Sequence, residues 1–332
     1  MTTRERTALL LLNTGSPDAP EVSAVRRYLA EFLSDERVIE LPKWKWWPIL
    51  HGIILRVRPA RSAERYRGVW TEEGSPLLVH TKSIAEKLVR RLAAEEISVH
   101  WASCYGNPSI PSVLTELEKA GVERLVVLPL FPQYAPQTTA SAFDAVFRHL
   151  MTRRSQPALT TIREYGTHPA YVEALARSIE THWERTGRPF AEGGKLLMSF
   201  HGLPKSCVAK GDRYEEDCRK TAALLAERLG LGEDEWLLSF QSRFGKEEWL
   251  TPYTEPTLRE LGRAGVPRVD VVCPGFASDC LETIEEINDE ARRAYEESVG
   301  EGRFEYIPAL NACDDAVALY ARLTLEALGR KA

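Results

Sequence analysis

Short runs of consecutive apolar residues alternate along the chain with longer segments in which apolar residues recur every three or four positions. The apolar runs cover residues 7–12, 125–130, 196–200 and 269–272, and Gly, Pro or Asn follows each of them within a few positions. Runs of this length bounded by turn residues predict buried strands, and the periodicity of residues 22–32 and 84–94 predicts helices. The alternation predicts an α/β protein with parallel sheets covered by helices.

Part of this pattern occurs twice. Residues 114–124 precede the run at 125, residues 258–268 precede the run at 269, and Leu, Glu, Leu, Ala-Gly-Val and Arg recur in register 144 positions apart. Gly-Ser-Pro at 15–17 and Gly-Leu-Pro at 202–204 also follow corresponding apolar runs. A glycine-capped helix followed by a buried strand is a common α/β unit, so part of the match could be convergent. Two matches in the same order favour two similar halves with a ligand cleft between them.

Composition narrows the class of protein. At 332 residues, with 44% hydrophobic and 27% charged residues, the chain suits a two-domain globular protein. Its net charge of −5 argues against nucleic-acid binding. No secretory signal fits the N-terminus, so a cytoplasmic location is expected. The six cysteines form no Cys-x-x-Cys pair and are interpreted as free thiols.

A histidine stands where ligands bind in α/β proteins. His201 directly follows the apolar run 196–200 and precedes Gly202. The carboxyl end of a strand in an open α/β sheet is the usual ligand site, and an imidazole there can exchange a proton near neutral pH or bind a metal. The structural alternative is a histidine that only fastens its loop to a backbone carbonyl.

An acidic row follows the run 269–272. Glu282, Glu286 and Glu290 are four residues apart, which places them on one face of a predicted helix. Two structural alternatives are a solvated acidic surface and a capping box formed by Asp279 and Glu282. Carboxylates in the first turn after a buried strand are, however, well placed for chemistry.

Three tryptophans lie close together between residues 44 and 55. This segment is too short to span a bilayer and contains Lys45, Pro48 and His51. It could rest on a membrane surface, line a pocket for a flat aromatic ligand, or form a partly buried surface helix. We favour the pocket or membrane surface, because so much aromatic area rarely lacks a partner.

Several motifs along nearly the whole chain resemble those of the ferrochelatase family. They are Leu-Asn-Thr-Gly-Ser-Pro at 12–17, the segment 66–70 with Gly-Ser-Pro-Leu at 74–77, Tyr-Gly-Asn-Pro at 105–108, Leu-Pro-Leu-Phe-Pro-Gln-Tyr at 128–134, Ser-Phe-His-Gly-Leu-Pro at 199–204, Gly-Asp-Arg-Tyr at 211–214, Phe-Gln-Ser-Arg-Phe-Gly at 240–245 and the block 273–287. Their order and spacing carry the resemblance.

The resemblance implies an α/β, chelatase-like fold. Two Rossmann-like halves, each with a doubly wound, parallel four-stranded sheet, would be related by the internal pseudo-repeat within a single ferrochelatase unit spanning 1–332. The expected bounds are 5–165 and 166–312, with a C-terminal helix at 313–330 that packs on the N-terminal half.

The resemblance also assigns residues. It implies His201 and Glu282 as catalytic and metal-contacting residues and Glu286 and Glu290 as a relay for protons or metal. The porphyrin-binding residues it implies are Tyr105, Asn13, Ser199, Trp47 and Ile54. We favour His201 as acceptor of pyrrole protons over His201 as a metal ligand.

The implied reaction is insertion of ferrous iron into protoporphyrin IX to form protohaem, the terminal step of haem biosynthesis, with release of two protons. The alternatives are coproporphyrin III as substrate, a cobalt or nickel chelatase for another tetrapyrrole, and a non-catalytic binding protein of two α/β halves. Fe2+ is a substrate here. A monomer or homodimer is expected, with peripheral membrane contact through 44–55 as an option.

The cysteines bear on cofactors. No cofactor is expected to be required, because the C-terminal cysteine cluster of the animal enzymes is absent. Cys207 and Cys218 leave an internal [2Fe-2S] cluster open, which we disfavour because nothing in the sequence shows that thiolates converge. Cys280 occupies a position where other members have histidine, which puts a metal contact at that position in doubt.

Overall fold

The computed structural model describes residues 5–331, which contain eight strands and twelve α-helices. The strands are β1 (Thr7–Asn13), β2 (Ile97–Ser103), β3 (Arg124–Pro129), β4 (Ala158–Thr161), β5 (Lys195–His201), β6 (Trp236–Gln241), β7 (Arg268–Val272) and β8 (Arg303–Ile307). The helices are α1 (Val22–Ser34), α2 (Lys43–Ile49), α3 (Leu55–Val69), α4 (Pro76–Arg91), α5 (Ile110–Lys119), α6 (Ser141–Leu150), α7 (Pro169–Thr186), α8 (Lys205–Ala209), α9 (Tyr214–Leu229), α10 (Thr254–Arg263), α11 (Arg292–Val299) and α12 (Asp314–Ala327).

Three further segments are π-helical, with backbone hydrogen bonds from residue i to i+5. They are Leu50–Ile54 between α2 and α3, Pro136–Ala140 before α6, and Glu282–Ala291 before α11. Such segments are rare and are frequently found at functional sites. The last of them carries the predicted acidic row.

The chain forms two compact units, residues 1–164 with 312–332 and residues 165–311. In the first unit, four parallel strands have the order β2-β1-β3-β4. Alternate residues of β1, among them Leu10 and Leu12, pack against α5 and α6 on one face of this sheet. Helices α4 and α12 cover the other face, so the sheet is doubly wound.

The second unit repeats this arrangement with the strand order β6-β5-β7-β8, again all parallel. One face packs against α10, α11 and the π-helical segment through Leu258, Ile287 and Tyr295. Helices α7 and α9 lie on the other face. Both sheets are parallel and covered by helices, as the alternation predicts, and have the four-stranded, doubly wound form that the family resemblance implies.

The internal repeat is visible in the element boundaries. Helices α5 and α10 begin and end 144 positions apart, as do the starts of β3 and β7. Gly121 and Gly265 follow these helices with φ of +70° and +74°, a conformation that glycine adopts without a Cβ penalty. Equivalent helix-end hydrogen bonds, 3.1 Å from Val122 N to Leu117 O and from Val266 N to Leu261 O, complete both caps.

One predicted helix has the wrong bounds. The helix expected at 84–94 is α4, which begins eight residues earlier at Pro76 and ends at Arg91. Pro76 stands at the start of the helix, where its fixed φ is favourable and its missing N–H is not needed. A short 3₁₀ turn, Ala93–Glu95, follows the helix.

Candidate active site

His201 is the last residue of β5, where the sequence predicted it. Its Nδ1 lies 2.7 Å from the carbonyl oxygen of Gly202. Because a carbonyl can only accept, Nδ1 carries the hydrogen and donates it. The Nε2 of the neutral ring therefore has the free lone pair, which is the atom that can accept a proton or contact a metal. The loop-fastening alternative and the functional interpretation are thus compatible, since they use different nitrogens.

Two aromatic side chains that the sequence analysis did not single out flank this imidazole. The ring centres of Trp249 and Phe276 each lie 6.4 Å from that of His201. The indole Nε1 of Trp249 is buried without a hydrogen-bond acceptor among residues 5–331. The sequence gave no sign that these two residues lie near His201, because Trp249 lies in the loop after β6 and Phe276 in the loop after β7.

The acidic row begins in a segment held by a buried aspartate. Asp279 accepts hydrogen bonds from the side chains of Tyr306, Thr283 and Asn311. Thr283 Oγ1 in turn accepts from the backbone N–H of Cys280 at 3.0 Å. In the predicted capping box the Glu282 carboxylate would accept from the Asp279 N–H, but that N–H donates to Asn311 Oδ1 at 2.8 Å, so the capping alternative is wrong. The Glu282 carboxylate is consequently not used for capping.

Cys280 lies beside Glu282 at the start of the acidic row. Burial and the neighbouring Glu282 carboxylate, to which the thiol is hydrogen-bonded, raise the pKa of Cys280 well above its ordinary value. Metals bind the thiolate form. The thiol is therefore held in its protonated form, as a weak hydrogen-bond donor to Glu282.

Glu286 is the best-defined carboxylate of the row. It accepts two 2.6 Å hydrogen bonds, from the backbone N–H and the hydroxyl of Ser242, a residue with φ of +65°. Burial raises the pKa of Glu286, and the charge of Glu282 raises it further, while Ser242 and His201 act in the opposite direction. The carboxyl group can thus take up a proton closer to neutral pH than an exposed glutamate.

The row leads from the interior to the surface. Glu282 and Glu286 are partly buried, and Glu290 is exposed one further turn along the π-helical segment. His201 and Gln241 are neighbours in the β5–β6 register, and Gln241 Nε2 donates to the backbone oxygen of Glu282 at 2.9 Å. The imidazole and the start of the acidic row therefore meet at one edge of the second sheet.

In the first unit, Tyr105 is buried just after β2. Its hydroxyl lies 2.8 Å from both Asp35 Oδ2 and Ser141 Oγ. Burial raises the pKa of Tyr105, so the phenol stays protonated. It borders a cavity of about 450 Å³ that is also lined by Asp35, Cys104, Ser141 and Arg148.

Asn13 and Ser199 are buried near the ends of the two central strands. The amide of Asn13 donates to Thr81 Oγ1 at 3.0 Å and its side-chain oxygen accepts from Thr14 N–H. The Ser199 hydroxyl donates to Gln241 Oε1 at 2.8 Å. These contacts place both residues in the supporting network of each strand end, and their contact with porphyrin stays a prediction.

The tryptophan segment forms α2 and the π-helical turn after it. Trp46 is anchored by a 2.7 Å hydrogen bond from its indole to Leu33 O. Trp44 and Trp47 are instead 74% and 52% exposed, and Ile53 is 58% exposed, while Ile54 is partly buried. The segment is therefore a surface helix with a fixed inner side and an apolar outer side. Across residues 5–331, every helix is too short or too polar to cross a membrane.

All six cysteines are free thiols, as predicted. Cys207 lies in α8 and Cys218 in α9, and both are buried. Burial raises the pKa of Cys218 well above its ordinary value. Within residues 5–331, no group of three or more His, Cys, Asp or Glu side chains is arranged to hold a metal ion. That an internal [2Fe-2S] cluster is disfavoured stays a prediction from the sequence.

Two doubly wound parallel sheets of this order define an α/β protein with the chelatase fold. The structure of SirB from Bacillus subtilis with Fe3+ has a TM-score of 0.55 at 13% identity, covering 97% of this chain and 95% of that one. The cobalt complex of the sirohydrochlorin chelatase SirB from B. subtilis subspecies spizizenii has a TM-score of 0.53 at 11% identity, covering 98% and 96%.

The family follows from the sequence comparisons. The Ferrochelatase family model matches residues 6–328. The ferrochelatase of Marinobacter nauticus is 52% identical over 311 residues, 93% of this chain and 83% of the relative. That of Bordetella pertussis is 53% identical over 310 residues, 93% and 84%. The chain belongs to the ferrochelatase family, enzymes that insert a metal ion into a porphyrin in haem synthesis.

Proposed function

We propose that this enzyme inserts ferrous iron into protoporphyrin IX and releases protohaem. In this reaction the two pyrrole N–H bonds break, the four ring nitrogens bind the ferrous ion, and two protons leave. Iron stays in the ferrous state, so no electron donor or acceptor is needed. The chemical requirement on the protein is a base beside the macrocycle and a route for the protons.

His201 is the proposed base. The observation that carries the proposal is the hydrogen bond from Nδ1 to Gly202 O, which leaves the Nε2 lone pair available. Carboxylate and imidazole both bind ferrous iron, so Glu282 is also the proposed contact of the incoming metal ion, and metal contact by His201 Nε2 is the alternative to its role as base. Glu282 assists His201 by balancing the positive charge that develops on the protonated ring.

The acidic row is the proposed exit route for protons. The raised pKa of Glu286 suits a group that receives a proton and passes it on, and the exposed Glu290 delivers it to solvent. Glu286 is influenced electrostatically by both His201 and Glu282, which supports transfer between neighbouring members of the row.

Aromatic and apolar side chains are the proposed contacts of the flat macrocycle. On the second unit these are Trp249 and Phe276 beside the imidazole, together with the polar Ser199 of β5. On the first unit they are Tyr105, Trp47 and Ile54, together with the polar Asn13 of β1.

We also propose a cytoplasmic enzyme that touches a membrane surface through the outer side of α2. Trp44 and Trp47 on α2 and Ile53 on the π-helical turn after it are exposed, and Lys45 lies between the two tryptophans, a combination that favours an anionic interface. The protein should float with phosphatidylglycerol-containing vesicles, and a Trp44→Ser, Trp47→Ser double variant should not. Equal flotation of both proteins would contradict this contact. Whether the enzyme is a monomer or a homodimer is measured by light scattering.

The substrate is tested by an anaerobic assay of iron insertion. Loss of porphyrin fluorescence is followed with protoporphyrin IX and, separately, with coproporphyrin III, and mass spectrometry identifies the product. The proposal predicts a higher kcat/KM for protoporphyrin IX. A higher value for coproporphyrin III would overturn the substrate assignment, and insertion of Co2+ or Ni2+ without Fe2+ would overturn the metal assignment.

A further inference from the structure

Gln241 occupies a central position between the two proposed reacting groups. It is the last residue of β6, is buried, and pairs with His201 across the parallel register. Ser242, which holds Glu286, follows it directly.

The orientation of the Gln241 amide is determined by its neighbours. Oε1 accepts from the hydroxyl of Ser199 at 2.8 Å and lies 3.6 Å from the thiol of Cys273. Nε2 therefore faces the backbone oxygen of Glu282 at 2.9 Å and donates to it. A flipped amide would place its oxygen against that carbonyl oxygen, where neither atom can donate.

The backbone of Gln241 holds the other reacting group. Its carbonyl oxygen accepts from Gly202 N–H at 2.8 Å, and the Gly202 carbonyl accepts from His201 Nδ1 at 2.7 Å. A Cβ on Gly202 would lie 2.8 Å from that Gln241 oxygen and 3.1 Å from the Trp249 ring, which accounts for glycine at this position. The imidazole orientation thus depends on the placement of residue 241.

We infer that Gln241 is a positioning residue that fixes the His201 imidazole and the Glu282 end of the acidic row relative to each other. This inference rests on the proposed roles of His201 and Glu282. The side-chain amide sets the first turn of the π-helical segment, and the backbone oxygen sets the loop that orients the ring. Partners of this kind around metal- and substrate-contacting groups typically contribute roughly 10–100-fold in activity.

The direct test is Gln241→Met, which keeps the length of the side chain and removes both polar groups. The matched control is Thr221→Val, at a fully buried position in α9 of the same unit, where the hydroxyl donates to Asp217 O at 2.9 Å. We expect kcat of Gln241→Met to fall roughly 10–100-fold while KM for the porphyrin changes little, and the control to keep its kcat. A kcat loss no larger than that of Thr221→Val, or a change confined to KM, would overturn the inference.

A second variant separates positioning from packing. In Gln241→Glu, the introduced carboxyl can donate to Glu282 O only while it is protonated. The ratio of its kcat to that of the unsubstituted enzyme should therefore fall as the pH rises. A constant ratio near one would overturn the inference even if Gln241→Met does not fold.

Failure of the positioning inference can be distinguished from failure of the proposed function by a His201 variant. If His201→Ala keeps normal kcat, the proposed role of His201 fails and the positioning inference fails with it. If His201→Ala abolishes activity while Gln241→Met and Gln241→Glu do not, only the positioning inference fails.

Discussion

At the residue scale, the two nitrogens of His201 have separate tasks. Nδ1 is used by Gly202 O, so removing the side chain costs one loop hydrogen bond, whereas Nε2 is free for chemistry. His201→Ala should therefore lower the metallation kcat by about 10²–10⁴-fold, the usual contribution of a positioned general base. The assay is anaerobic insertion of ferrous iron into protoporphyrin IX.

The control for this variant is His100→Ala, a partly buried histidine in β2 of the first unit. Its activity per folded molecule should equal that of the unsubstituted protein. The thermal unfolding midpoint of His201→Ala should change by only a few degrees, since a strand-end side chain contributes about 1 kcal/mol through its hydrogen bond. Turnover of His201→Ala close to normal would remove this residue from the mechanism.

Glu286 gives a stability prediction with a defined sign. Because its pKa is raised in the folded protein, the folded state binds more protons than the unfolded state between the ordinary glutamate pKa and the raised one. The free energy of unfolding therefore falls as pH rises through this window. In Glu286→Gln this contribution to the slope should disappear, as measured by urea unfolding at a series of pH values.

Ser242→Ala should change the pH dependence of stability in the direction opposite to Glu286→Gln. The serine hydroxyl lowers the pKa of Glu286, so its removal should raise that pKa further and extend the falling region to higher pH. The same slope in Glu286→Gln, Ser242→Ala and the unsubstituted protein would mean that Glu286 does not link folding to protons.

What the sequence could predict at this scale was the position of a residue along a strand, and not its contacts. His201 directly follows an apolar run, and that pattern is enough to locate it at a strand end, whereas Glu282 was located only on the helix predicted after the run 269–272. Trp249 and Phe276 lie beside His201 although they belong to loops, and Gln241 lies beside it at the end of β6. Their proximity depends on register and loop course, which no local pattern of residues encodes.

At the element scale, the spacing of the acidic row predicted a helix but not its type. A four-residue spacing keeps side chains near one face in both α- and π-helices, so periodicity does not distinguish the two forms. The start of α4 was missed for another reason, since residues 76–79 are mostly apolar and hide the helical period. The signal that marks it is Pro76 directly after Ser75.

The two glycine caps of the repeat lead to a prediction for an element boundary. Gly265 has φ of +74°, and a Cβ there would meet nothing within 4 Å. Gly265→Ala should therefore destabilise the protein by roughly 1–2 kcal/mol, purely through left-handed backbone strain. The measurement is the midpoint of urea unfolding.

Gly68→Ala is the matched control for that variant. Gly68 lies inside α3 and also has open space around it, but no positive φ. Alanine there should stabilise the helix by about 0.5–1 kcal/mol. Equal effects of the two substitutions would show that the φ of Gly265 carries no strain for alanine.

At the scale of the whole molecule, alternation of apolar runs and helical segments was sufficient to predict parallel sheets covered by helices, whereas their doubly wound, four-stranded form was implied by the family resemblance. The 144-residue repeat further indicated that both would have the same form, and their strand orders correspond one to one. The unit to which the last helix belongs does not follow from such a pattern. Helix α12 lies in the first unit although the whole second unit precedes it in the sequence, an association set by packing and not by local pattern.

Two fully buried tyrosines test this division. Tyr320 lies in α12 of the first unit and Tyr295 in α11 of the second. Replacing either by alanine should lower the free energy of unfolding by about 3–5 kcal/mol, as for other large buried aromatic side chains.

Because α12 packs on α4 and β3, Tyr320→Ala should increase amide hydrogen exchange in those elements and leave β7 and β8 protected. Tyr295 packs on Phe304 of β8, so Tyr295→Ala should increase exchange in β7 and β8 and leave α4 and β3 protected. Exchange that rises equally in both units for either variant would show that the units open together and that α12 stabilises the whole chain.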